Sequence, residues 1–135
     1  MKQKIGSIIC ILLSIAAMVL PNGVPMVFAA SPTQTATEYY SYFSPILFGY
    51  GNYFPIITFL LSIIILFLIA LPFKKGCSKI SATLLVLAAA SSILSWLLFQ
   101  TFSFVGLLVL ILHGVTLIMT LAPKGQPISR RFVRR

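Results

Sequence analysis

The sequence predicts an all-α membrane protein, with an N-terminal signal peptide followed by three transmembrane helices, or four if the first segment is not cleaved. Three observations lead there. The chain is 59% hydrophobic, more apolar surface than a soluble globule of 135 residues can hide. Only 8% of its residues are charged, against about a quarter in ordinary soluble domains. Apolar stretches of spanning length alternate with short connectors that are either strongly basic or free of basic residues.

Residues 1–29 have the three parts of a secretory signal. Lys2 and Lys4 supply the basic start, and Ile5 to Leu20 form the apolar core. Pro21, Asn22, Gly23 and Pro25 break the helix and favour an extended backbone that a peptidase can bind. Val27 and Ala29 then stand at spacing suited to cleavage between Ala29 and Ala30. A cut one residue later would put the bulky Phe28 at the critical third position. The competing reading is an uncleaved anchor from Ile5 to Ala30, which is also long enough to span a bilayer. Cys10 lies inside the apolar core, so it is not a lipoprotein cysteine.

Residues 30–53 form the extracytoplasmic segment. Its first part is polar and rich in Thr, and from Tyr39 onward it turns aromatic, with no Lys or Arg. A short interfacial helix is expected over Thr37 to Phe43. The aromatic residues fit a belt at the lipid–water boundary, where rings meet hydrocarbon and hydroxyls meet water. A recognition surface for a partner or a glycan is the sharper alternative.

The three spans are 54–73, 80–99 and 104–122, and none of them contains Lys, Arg, Asp or Glu. Loop 74–79 carries Lys74, Lys75 and Lys79, whereas turn 100–103 is uncharged. Tail 123–135 carries Lys124, Arg130, Arg131, Arg134 and Arg135. If every apolar segment crosses, all ten basic residues fall on one side. The positive-inside rule then predicts a multi-pass protein of the cell membrane with a cytoplasmic C-terminus. It also makes Cys77 a free cytoplasmic thiol. Arg130, Arg131, Arg134 and Arg135 are expected to contact anionic lipid.

Small and hydroxyl residues mark the expected packing faces, because lipid gives no hydrophobic drive between helices. Span 80–99 has Ser81, Ala88, Ser92 and Ser95, with Ser91 beside them. Span 104–122 has Gly106, His113, Thr116 and Thr120, with Gly114 adjacent. The short turn between these spans predicts a hairpin whose two stripes face each other. Span 54–73 offers only Thr58 and Ser62 and is expected to be the most lipid-exposed.

His113 is the only ionisable side chain within a span. It is therefore a candidate for a proton or ion path. The plainer expectation is a neutral imidazole bonded to Ser92, Ser91 or a backbone carbonyl. One His, one Glu and no Asp provide no catalytic triad or metal cluster within the chain. No catalytic residue, metal or cofactor is predicted. The net charge of +9 reads as membrane orientation rather than nucleic-acid binding. The expected function is non-enzymatic, an accessory or self-associating membrane subunit acting through helix contacts. Its expected partners are the bilayer and either a membrane protein or a second copy. The alternative is an oligomeric pore or transporter lined by the stripe around His113.

Overall fold

The computed structural model describes residues 2–71 and 77–122. They form α1 (Lys2–Val19), β1 (Val24–Ser31), β2 (Gln34–Tyr40), α2 (Pro45–Gly49), α3 (Phe54–Ala70), α4 (Cys77–Phe99) and α5 (Phe104–Leu121). The protein is mostly helical, and α4 and α5 are each long and apolar enough to cross a membrane. The shorter α1 and α3 are apolar too. Basic loop 74–79 falls largely, and tail 123–135 entirely, outside the described residues, as do the side chain of Cys77 and the lipid contacts expected of the four tail arginines.

The four long helices pack in a ring in which α1 meets α3 and α5, and α4 meets α3 and α5. Each buries a stripe with alternating three- and four-residue spacing. The stripes are Ser7, Ile11, Ser14 and Met18 on α1; Pro55, Thr58, Ser62 and Ile65 on α3; Ser81, Leu85, Ala88, Ser92 and Ser95 on α4; and Gly106, Val109, His113 and Thr116 on α5. This is the spacing of helices that pack nearly antiparallel in a bundle. The distribution inverts that of a soluble bundle. Small and polar residues dominate the inside, while Leu60, Phe67, Leu97, Leu98, Phe104 and Ile118 face outward.

The all-α expectation is only approximate, because β1 and β2 form a two-stranded antiparallel sheet. Val24 pairs with Tyr40 and Val27 with Thr37, with an irregularity between Ala29 and Ser31. The interfacial helix expected over Thr37 to Phe43 is therefore absent: residues up to Tyr40 are strand, and the described helix begins at Pro45. β-branched Thr35 and Thr37 next to Tyr39 and Tyr40 fit a pleated strand better than a helix. Ala29 and Ala30, the expected cleavage pair, lie within β1, and both are exposed.

The boundaries of the three expected spans also shift. α3 ends at Ala70, α4 starts at Cys77 and α5 ends at Leu121. The Ser103 hydroxyl starts α5 by accepting from the Gly106 amide at 2.9 Å, an N-cap bond. The same hydroxyl donates to the Gly23 carbonyl, which ties the hairpin's root to the α4–α5 turn.

Candidate functional site

A chain of buried polar groups runs through the bundle. At its centre is His113, fully inside and bonded through both ring nitrogens. Nδ1 lies 2.7 Å from the Val109 carbonyl oxygen. A carbonyl can only accept, so a neutral ring carries its proton on Nδ1. Nε2 lies 2.9 Å from the Ser62 hydroxyl, whose proton is shared with the Thr58 carbonyl one turn back on α3 at 2.8 Å. Ser14 Oγ on α1 lies 3.5 Å from Nδ1, at the edge of hydrogen-bonding range. The imidazole thus joins α5 to α3 across the diagonal of the ring, with α1 closing over it.

Toward the hairpin end, Thr58 continues the chain. Its hydroxyl donates to the Phe54 carbonyl at 3.0 Å and lies 3.4 Å from Ser92 Oγ and from the Ala88 carbonyl oxygen. Ser91 donates to the Phe54 carbonyl at 3.0 Å. Asn52 donates to Ser95 Oγ at 3.1 Å, and Ser95 and Thr101 hydroxyls meet at 2.8 Å. Toward the other end, Thr116 and Thr120 bond carbonyls one turn back on their own helix. Among the described residues, no buried side-chain nitrogen or oxygen lacks a partner. That completeness matters in lipid, where no water waits to satisfy an orphaned group.

The packing differs from the expected pairing of stripes. Ala88, Ser91, Ser92 and Ser95 face α3 and the residues just before it, not the His113 stripe of α5. His113 meets Ser62 and Ser14 instead of Ser91 or Ser92. The carbonyl expected as a partner is present, but it belongs to Val109 on the same helix. α3 is not simply the lipid-facing helix, since Thr58, Ser62 and Ile65 are buried. The reason is that hydroxyls on opposite helices satisfy one another only where the backbones run close, and α3 offers two of them in the middle of its length.

Of the two glycines in the expected stripe, Gly106 fits the packing role. A Cβ there would lie 3.0 Å from Trp96 Nε1 and 3.1 Å from Ser103 Oγ. Gly114 faces open space and is not a packing residue. Ser14, Asn52 and Thr101 belong to the polar chain but were not singled out by sequence, and Ser62 was noted only as a polar residue of a span expected to face lipid. Of these only Ser14 carried a periodic signal, standing seven residues from the buried Ser7.

At the hairpin end the polar chain gives way to an aromatic cap. Phe28 stacks edge-on against Tyr50 at 5.1 Å, and Trp96 against Phe102 at 5.1 Å. Tyr42 is buried below the hairpin, and burial pushes its phenol up to about 12. Tyr40 donates to the carboxylate of Glu38, which also raises its pKa. The described residues include no group of three or more His, Cys, Asp or Glu side chains able to hold a metal ion. Comparison of the chain with protein families, curated proteins and solved structures finds no match.

Proposed function

We propose that this chain is a multi-pass protein of the cell membrane, non-enzymatic, acting through helix contacts as a self-associating or accessory subunit. Its C-terminus is cytoplasmic and the hairpin lies outside. α1 stays in place as a fourth helix. The observation that carries this reading is the closure of the polar chain. Among the described residues no buried side-chain nitrogen or oxygen is left without a partner inside the bundle, so what these residues offer for contact is an apolar exterior and an aromatic cap.

Orientation rests on the lysines. Lys4 Nζ donates to the Ala70 carbonyl at 3.0 Å, so the start of α1 and the end of α3 share one end of the bundle. Lys79 opens α4 at that end, and the hairpin and the turn 100–103 occupy the other. This is the asymmetry that the positive-inside rule converts into a topology.

Retention of α1 rests on its contacts. Removing residues 1–29 would strip Ile11, Ala17 and Met18 from the two apolar clusters and most of the partner strand from β2. The pore alternative needs His113 and Thr116 to face an opening, and in this fold both are buried.

Intact mass of the membrane-extracted protein tests the first point: a full-length chain is expected, and loss of 29 residues would reject retention. Purification in mild detergent with identification of co-purifying proteins tests the second. In reconstituted vesicles no ion flux is expected. Flux that disappears in His113→Ala with assembly intact would overturn the reading in favour of the pore.

A further inference from the structure

Among the described residues the hairpin has two unpaired edges, and they are not equivalent. β1 carries Pro25 and the irregularity between Ala29 and Ser31. Both are devices that keep an edge from pairing. β2, QTATEYY, has no proline, lysine or arginine, and every residue except the half-buried Tyr40 is exposed.

Pro25 has no N–H to give, so the ladder bonds between β1 and β2 belong on the alternate pairs Val24–Tyr40, Met26–Glu38 and Phe28–Ala36. The backbone groups of Thr35, Thr37 and Tyr39 are then the ones directed at the free edge. We propose that this edge is an interface between two copies of the chain, joined antiparallel about Thr37 into a four-stranded sheet. The proposal rests on the self-associating form of the reading above.

Two features favour a second copy as the occupant, and one geometric condition follows. Centring on Thr37 overlaps the whole strand, and Thr35, Thr37 and Tyr39 then meet Tyr39, Thr37 and Thr35 of the second copy, outward-directed groups against outward-directed groups. In the same register Glu38, the only acidic residue of the chain, faces Ala36 rather than another carboxylate. Finally, the operation required is a two-fold axis perpendicular to the sheet. The buried Val24 and the Phe28–Tyr50 contact fix the hairpin's root on the bundle, while β2 from Gln34 to Tyr39 stays exposed. Two copies inserted with the same sidedness are related by an axis along the membrane normal, so the pairing requires the face of the ribbon to lie across that normal.

The test uses the full chain in native membranes with Cys10→Ser and Cys77→Ser as background. Symmetric partners in a hydrogen-bonded pair stand about 5.5 Å apart at Cα, within disulfide range. Thr37→Cys is therefore expected to give a disulfide dimer on mild oxidation. Val27→Cys, which faces Thr37 from the inner strand, is expected to stay monomeric. Thr37→Pro removes one outward N–H while sparing the inner ladder, so the dimer fraction should fall at least tenfold with helical content unchanged. A dimer that survives Thr37→Pro, with no Thr37→Cys crosslink, overturns the edge proposal and leaves self-association through the helices standing. A chain monomeric in every form overturns both.

Discussion

The contact most specific to this fold is the one between Ser62 and His113, because it crosses the bundle rather than joining sequence neighbours. A double-mutant cycle with Ser62→Ala and His113→Leu isolates it. Leucine keeps much of the ring's volume, so the His113→Leu change reports lost hydrogen bonds more than an empty cavity. The bond is 2.9 Å long and both partners are buried. Hydrogen bonds between membrane helices are worth about 0.6 kcal/mol on average and up to about 1.7 kcal/mol. The short, buried contact puts the Ser62–His113 coupling in the upper half of that range. A second cycle pairs Ser92→Ala with His113→Leu. Ser92 reaches Thr58 and has no bond to the imidazole, so its coupling should stay below about 0.5 kcal/mol. The assay is reversible unfolding in mixed detergent–lipid micelles, followed by the fluorescence of Trp96, the only tryptophan. A larger coupling to Ser92 than to Ser62 would refute the arrangement of α3 between α1 and α4 and restore a direct α4–α5 polar seam.

Four further outcomes are expected. Burial holds the Tyr42 phenol at about 12 in the folded chain, whereas an unfolded tyrosine ionises near 10. The unfolded state therefore releases this proton first, so the group's contribution to stability is intact below about pH 10 and is lost as pH rises from about 10 to about 12. Tyr42→Phe should remove that part of the alkaline loss in a pH series of unfolding curves. Gly106→Ala should cost about 1 kcal/mol or more, because the indole of Trp96 must give way, and it should shift Trp96 emission. Gly114→Ala should be neutral or slightly stabilising, since its Cβ meets nothing and alanine is the better helix former. A reporter fused after Arg135 should remain cytoplasmic by alkaline phosphatase and fluorescent-protein assays, and export of that reporter would invert the topology.

The parts of this fold that were legible in the sequence are those where long apolar runs leave a compositional mark. α4 and α5 were readable because their small residues recur every three to four positions among leucines and isoleucines, and those residues are largely the buried ones. α1 hid its role. Its lysines, apolar core and breaking prolines are also the parts of a signal, and Ser7 and Ser14 mean little until Met18 and Ile11 are seen buried beside them. The hairpin was obscured in a different way. Tyrosines at a membrane boundary satisfy a belt as well as a strand, and only the pairing of Val24 with Tyr40 and Ala29 with Thr35 separates the two.

The neighbour relations were the least legible, for a physical reason. In water, the apolar face of a helix points to the core and so names its partners. In lipid, the outside is as apolar as any core, and association falls to close packing and hydrogen bonds. A hydroxyl stripe then states that a helix has a partner without saying which. The short turn between the two spans made α4 and α5 look paired through those groups. The fold instead gives Ser92 to Thr58 and His113 to Ser62, four residues apart on α3. Those two residues make α3 the helix on which both polar stripes converge. Thr58→Val and Ser62→Ala together should therefore loosen α4 and α5 at once, although neither residue lies on either helix.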